Sequence, residues 1–148
     1  MITLRAVEED DLDRFYEYQT DPIAVKMAVF AARDHDAFLA NWARIRANPE
    51  SIARAVEFDG NLCGNMMSWS QDGKRYVGYW IDRAMWGQGV GTEALRLFVA
   101  ELQMRPLYAL VVITNIGSQR VLEKAGFVQI VRQMSPVDGL EEFVYRLD

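Results

Sequence analysis

YVGYWIDRAMWGQGVGTEAL, residues 76–95, is the stretch on which the fold turns. It opens as an aromatic, strand-like run, passes through glycines at 87, 89 and 91, and leaves with helical spacing. Glycine inside a regular element is destabilising by roughly 0.5–1 kcal/mol relative to alanine, so such a cluster implies a backbone that something approaches closely. The N–H groups at a helix start are unpaired, and the aligned peptide dipoles add roughly half a positive charge there. Gly87, Gly89 and Gly91 remove the side chains that would hold an anion away from those groups. The helix is predicted from Thr92 to about Gln103, with Ala94, Leu95, Phe98 and Leu102 on its apolar face. The pattern therefore predicts a nest for a phosphorylated ligand.

Outward from this stretch, LYALVVI (107–113) is a continuous apolar run, predicted to be a strand buried on both faces. A helix joining it to the strand at Lys74–Ile81 is a crossover, so those two strands are expected to be parallel. Asp-Gly pairs at 59–60, 72–73 and 138–139 predict hairpins. They link SIARAVEF to NLCGNMMSW, NLCGNMMSW to KRYVGYWI, and FVQIVRQM to LEEFVYRL. Leu12, Phe15, Tyr16 and Gln19 form one helical stripe, which Asp21-Pro22 closes. Phe38, Leu39, Trp42 and Ile45 form a second, which Asn48-Pro49 ends. A short helix from about Gly117 to Ala125 carries Lys124 in its last turn and Gly126 as its cap. The order predicts an α/β (α+β) domain: a mixed, mostly antiparallel twisted sheet with a central parallel pair, and helices on both faces.

The chain has 148 residues, half of them apolar and a quarter charged, which suits one soluble globular domain over 1–148. A net charge of −5 disfavours phosphate backbones, so no nucleic-acid partner is expected. No apolar run reaches the roughly 20 residues of a bilayer span, and the acidic start shows no export segment, so no membrane partner and a cytoplasmic home are expected. The acids from Glu8 to Asp11 mark a helix start. Cys63 stands alone, which argues against a zinc cluster, and it reads as a small buried strand residue; no metal is expected. His35 reads as a surface residue near the start of its helix.

Which phosphorylated ligand follows partly by exclusion. GVGTEA satisfies the looser dinucleotide fingerprint, but a loop separates it from its strand and no acidic residue ends the next strand, where Thr114-Asn115 stand. The Gly-Lys-Ser/Thr of a Walker loop is absent. The combination of YVGYWIDRAMWGQGVGTEAL with NIGSQRVLEKAGF, separated by one helix and one strand, resembles the acetyl-CoA site of the GNAT N-acetyltransferase superfamily. It is most similar to the branch that acetylates ribosomal-protein N-termini. The resemblance is close over residues 76–127, and the order of elements agrees over nearly the whole chain.

The resemblance implies a CoA diphosphate held by the amides of Gly87, Gln88, Gly89, Val90, Gly91 and Thr92, with Trp86 at the loop's first position. It implies a splayed parallel pair, into which pantetheine inserts against Trp80, Ile81 and Asp82. Asn115 and Ser118 match positions facing the pantetheine arm and sulfur, and Arg120 is within reach of the phosphates. A neutral amine then attacks the thioester, an amide N–H near Ile81 stabilises the oxyanion, and a thiol leaves. Many relatives carry a carboxylate where Tyr76 stands, or a tyrosine acid where Leu122 stands, and neither group is present here. Ser118 is the expected proton donor to sulfur; Glu57, Asp82 and Tyr79 are candidate routes for the amine proton. The acceptor pocket is expected from roughly Pro22 to Arg33, near Trp69, Tyr79 and Tyr108. A homodimer through the exposed edge of the C-terminal hairpin is expected. The rival reading is a CoA-binding regulatory module without catalysis.

Overall fold

The computed structural model describes residues 1–28 and 33–148. Its elements are β1 (Ile2–Ala6), α1 (Asp11–Tyr18), α2 (Pro22–Ala28), α3 (His35–Ala47), β2 (Ile52–Phe58), β3 (Asn61–Gln71), β4 (Lys74–Ile81), a 3₁₀ turn (Arg83–Met85), α4 (Val90–Glu101), β5 (Leu107–Val112), α5 (Ile116–Lys124), β6 (Val128–Met134) and β7 (Glu141–Leu147). The strands form a seven-stranded sheet in the order β1-β2-β3-β4-β5-β7-β6. β4 and β5 are parallel and every other neighbouring pair is antiparallel. Among the described residues no helix is long and apolar enough to cross a membrane.

Local chemistry accounts for the turns. Asp59 and Gly60 (φ 50° and 82°), like Asp72 and Gly73 (53° and 76°), both adopt left-handed backbone. That pairing matches the twist of the flanking strands and fixes the β2–β3 and β3–β4 registers. The third Asp-Gly behaves differently. Only Gly139 of that pair has positive φ (72°), and the turn spans Ser135–Leu140, closed by Ser135 N–H to Leu140 C=O at 2.8 Å. The Asp21-Pro22 pair does more than expected. It closes the first helical segment, Asp21 N–H donating to Tyr18 C=O at 3.4 Å, and it also starts α2: proline occupies the first helical position, and Asp21 Oδ1 accepts from Ile23 N–H at 2.9 Å.

Helices cover both faces. Ala94, Leu95 and Phe98 of α4 are fully buried and pack with Leu122 of α5 against Val56, Met66, Val77, Leu107 and Tyr145 of the sheet. On the other face Leu12, Phe15 and Tyr18 of α1 meet Phe38 and Trp42 of α3 over Ala55. Each fully buried Leu or Phe contributes about 1.5–3 kcal/mol, which makes these two layers the rigid frame of the molecule. β5 is covered on one face only: Leu107, Ala109 and Val111 are buried while Leu110 is 46 % exposed. The expectation of burial on both faces fails because α1 and α3 pack on β2–β4 and their core cluster does not reach β5.

One charged cluster belongs to this frame. Arg5 Nη1 and Nη2 each donate to Asp11 at 2.8 Å, and its Nε donates to Glu57 at 3.0 Å. The Arg5 bond, together with Glu8 N–H, holds the buried Asp11 carboxyl below its ordinary range against the opposing effect of burial. The acidic run does mark the start of α1, and Asp11 at its first position also ties that helix to β1 and β2.

Candidate active site

The site begins as a missing ladder. β4 continues to Ile81 and β5 to Val112, yet the two are in register only at Arg75↔Leu107 and Tyr76↔Tyr108. The opposite edge of β4 is paired with β3 from Lys74 to Ile81. Because Asp82 N–H donates to Cys63 C=O at 2.8 Å, antiparallel alternation turns the backbone groups of Trp80 and Asp82 toward β3. It turns those of Tyr79 and Ile81 toward the gap. Cys63 is the extra residue of a bulge opposite Val56 and Glu57, and such a bulge sharpens the twist where β4 ends. Next to it Gly64 is obligatory, since a Cβ there would lie 2.5 Å from the Trp80 carbonyl oxygen. Cys63 is buried as expected, and burial pushes its thiol up to about 11.

The glycine loop forms the floor of the gap. Gly87 and Gly89 have φ of 77° and 79°, and a Cβ at either would meet open space, so glycine is required here for conformation and not for room. Gly89 is the cap of α4, which begins at Val90, two residues ahead of the predicted start. Among the described residues, none of the N–H groups of 87–92 donates to a protein acceptor. Trp86 Nε1 donates to Ile81 C=O at 3.0 Å, pinning the loop to the end of β4.

These elements enclose a cleft of about 390 Å³, walled by Tyr79, Trp80 and Ile81, by Trp86 and the glycine loop, by Asn115, Ser118, Arg120 and Lys124 of α5, and by Ala24, Met27 and Ala28 of α2. That volume is in the range of small-molecule sites. Asn115 caps α5, its Oδ1 accepting from Ser118 N–H at 3.2 Å, and also faces the cleft. Tyr79 OH lies 2.8 Å from Ser118 Oγ, bridging β4 to α5 across the mouth of the gap. Burial pushes the Tyr79 hydroxyl up to about 12 against the opposing bond from Ser118. Among the described residues Arg120 and Lys124 have no carboxylate partner.

Some sequence expectations find different places. Glu57 lies outside the cleft wall, bound to Arg5 on the frame. Asp82 caps the 3₁₀ turn, its Oδ1 accepting from Ala84 N–H at 3.2 Å, and is likewise outside the wall. Trp80 and Asp82 were expected to offer backbone to the gap, whereas the β3 ladder takes it. Trp69 and Tyr108 flank Tyr76, with ring centroids 6.0 and 5.9 Å away, and are not in the cleft wall with Tyr79. Of the expected acceptor segment, residues 29–32 lie outside the described residues. His35 opens α3 with its side chain half exposed, as expected, 3.6 Å from Asp13. Ala24, Met27 and Ala28 of the expected acceptor segment do line the cleft; their forming a helix was missed, although Asp-Pro at the head of a short apolar run is a helix-start signal. Lys124, in the last turn of α5 as expected, also lines the cleft. Among the described residues no group of three or more potential metal ligands occurs.

Comparison with known proteins bears on this geometry. The family described as Acetyltransferase (GNAT) domain matches residues 1–128. The chain belongs to that family and is an acetyl-CoA-dependent acetyltransferase. A protein of Bacillus subtilis (strain 168) named as a candidate N-acetyltransferase, YjcK, is 42 % identical over 73 residues, which is 45 % of this chain and 40 % of that protein. From the same organism YdaF, named as a candidate ribosomal N-acetyltransferase, is 28 % identical over 143 residues, covering 86 % of this chain and 78 % of its own. The structure of aminoglycoside acetyltransferase AAC(6')-Ib in complex with coenzyme A shares the fold, with a TM-score of 0.84 at 20 % identity over 99 % of this chain and 94 % of that one.

Proposed function

We propose that this chain transfers the acetyl group of acetyl-CoA to a primary amine by direct attack while both substrates are bound. The observation that carries the reading is the union, in one cleft, of the open β4 edge, the unpaired N–H groups of residues 87–92, and the unpartnered cations Arg120 and Lys124. A diphosphate suits the glycine loop, because left-handed Gly87 and Gly89 aim main-chain donors at an anion beside the positive end of α4. Arg120 adds charge from α5, and Lys124 joins it. The narrow apolar gap beside Tyr79 and Ile81 suits a pantetheine arm, which forms hydrogen bonds to their backbone as an added strand would.

When bound, acetyl-CoA supplies an activated acyl carbon and a thiolate leaving group. Ile81 N–H, turned to the gap, is the proposed hydrogen-bond donor to the thioester oxygen. Ser118 and Asn115 stand at the α5 wall, where the arm ends, and Ser118 is the proposed group facing the sulfur. The acceptor's ammonium loses its proton to water, because Glu57 and Asp82 are held elsewhere. Acceptors within reach of this reading are aminoglycosides, polyamines, amino acids and protein N-termini. The names of AAC(6')-Ib and YdaF span two of those classes. The same proposal places one domain over residues 1–148 in the cytoplasm, as a homodimer. β6, an exposed edge strand with Val128 64 % and Met134 61 % exposed, offers the dimer edge.

The rival reading, a CoA-binding module without catalysis, draws on two positions. Tyr76 is stacked on Trp69 and Leu122 is buried in the core, so neither supplies a proton-transfer group. Two measurements separate the readings. Acetyl-CoA at about a hundred times its Kd should add about 2.7 kcal/mol of apparent stability. Free thiol should then appear with at least one of kanamycin, spermidine, an amino acid or a short peptide with a free N-terminus. Stabilisation without thiol release across that panel supports the module; no stabilisation removes both readings.

A further inference from the structure

The hydroxyls of Tyr79 and Ser118 lie 2.8 Å apart, on elements separated by 39 positions in the chain, and both line the cleft. The geometry points to Tyr79 as a positioning residue that fixes the Ser118 hydroxyl so that it donates a hydrogen bond to the sulfur as the carbon–sulfur bond breaks. This rests on the acetyl-transfer reading above and assigns the polar pair beside its leaving group.

A serine hydroxyl has one proton and can accept from two directions. When Tyr79 donates to Ser118 Oγ, the serine proton is directed away from the ring and into the cleft. Tyr79 has one proton to place, and both acceptors in its reach, Ser118 Oγ at 2.8 Å and Ser118 C=O at 3.2 Å, belong to the same residue. Either hydroxyl can donate across the 2.8 Å contact; the proposed arrangement is the one in which Tyr79 donates to Ser118 Oγ, which leaves the serine proton free for the sulfur. Ser118 also occupies the first turn of α5, where the helix dipole favours negative charge.

Magnitudes decide between giving the proton away and sharing it. An ordinary thiol ionises near 8.5, roughly three units below the hydroxyl of Tyr79, which burial pushes up to about 12. Full transfer from Tyr79 through Ser118 to sulfur runs uphill, whereas a hydrogen bond to the developing thiolate does not. The balance then closes without another reactant. The amine nitrogen forms the bond to carbon, the electrons of the carbon–sulfur bond go to sulfur, the nitrogen releases its proton to water, and the thiolate takes one from water. Ser118 and Tyr79 keep theirs. This alters the expectation that Ser118 is a proton donor to sulfur, and it moves Tyr79 from the amine side of the reaction to the sulfur side.

The test uses the full chain, the fastest acceptor of the panel above, and either acetyl-CoA or its selenoester analogue, whose better leaving group needs no hydrogen bond. Tyr79→Phe should lower kcat with acetyl-CoA about tenfold, the worth of one well-placed hydrogen bond to a charged atom, and leave KM for acetyl-CoA within about twofold. Ser118→Ala should lower it by at least as much, and the double variant no further than Ser118→Ala alone. With the selenoester all three defects should shrink toward wild type. Equal defects with both esters, or multiplying effects in the double variant, overturn the inference. Should Tyr79→Phe lose its fold, as thermal unfolding would show, Ser118→Ala compared on the two esters still decides. A wild-type chain that turns over no acceptor fails the acetyl-transfer reading itself and is seen before any variant is made.

Discussion

β4 has two edges of opposite character. Toward β3 it is paired at eight positions, from Lys74↔Gln71 to Ile81↔Gly64. Toward β5 it is paired at Arg75 and Tyr76 and then released. One edge is committed to the fold, and the other presents the main chain of Tyr79 and Ile81 to a cleft. The charged groups divide in the same way. Arg5 is bound by two carboxylates on the closed side, while Arg120 and Lys124 on the open side have no carboxylate partner among the described residues. Buried or half-buried polar groups that lack protein partners are costly, so their concentration along one edge marks where a ligand belongs.

The largest effect should come from the glycine loop. Gly89→Val forces a branched residue into left-handed backbone, costing at least about 1–2 kcal/mol locally, and re-aims N–H groups that bind an anion. Several charge-assisted bonds worth about 1.5–3 kcal/mol each are at stake, so acetyl-CoA affinity measured calorimetrically should fall by on the order of 100-fold or more. Gly60→Val is the control: its φ of 82° imposes the same strain in a hairpin outside the cleft. It should lower stability similarly and leave affinity unchanged. Equal affinity losses in both variants would show that strain alone, and not the loop's donors, governs binding.

The closed side makes the reverse prediction. Arg5→Ala leaves the buried Asp11 without its main partner, a change that costs about 3 kcal/mol for a broken buried pair. Thermal unfolding should register this as a drop of about 6–12 °C for a domain of this size, with acetyl-CoA affinity retained. Asp11 also sets a pH dependence. Its folded pKa is depressed, so its stabilisation is present above its unfolded value of about 3.9 and is lost as pH falls through the lower folded value. Asp11→Asn should flatten the acid side of the stability profile below about pH 4; an unchanged acid limb would remove Asp11 from that account.

Salt dependence sharpens the comparison further. Replacing Arg120 and Lys124 with alanine removes two exposed cations that face the cleft, each expected to add less than about 1–1.5 kcal/mol after solvent screening. Acetyl-CoA should bind about tenfold more weakly at low salt, and the gap between variant and wild type should narrow at high salt. A salt-independent loss would point to side-chain packing in place of charge.

What was legible in the sequence was local. The glycine loop, the Asp59-Gly60 and Asp72-Gly73 turns, and the stripes of α3 and α4 are each set within a dozen residues, where spacing and backbone preference decide. Asp21-Pro22 was legible as the end of α1 but not as the start of α2, because that second role depends on whether Ala24 can be buried, which it is. Glu57 looked like a free carboxylate because its partner Arg5 is 52 residues away. The Tyr79–Ser118 pair was hidden for the same reason, since both residues could be named but not joined until β4 and α5 were placed. β5 read as doubly buried because apolar composition does not reveal which face lacks a helix.

The smallest effect expected is at the hinge between the two edges. Trp86 Nε1 donates to the Ile81 carbonyl, one of the groups that the release of β5 exposes, and the Trp86 side chain is 40 % exposed. Trp86→Phe keeps an aromatic ring and removes that donor. A neutral hydrogen bond contributes about 0.5–1.5 kcal/mol net, and water in an open cleft can replace the lost donor, so the cost should fall at the low end. KM for acetyl-CoA should rise about two- to fivefold, kcat should hold, and the midpoint of unfolding should drop by no more than about 2–4 °C. Trp86→Gln, which restores an N–H donor, should recover part of the KM effect. A fall in kcat comparable to that of Tyr79→Phe would mean that Trp86 acts on the reacting atoms, and the open edge would then hold chemistry at its glycine end as well as at Ser118.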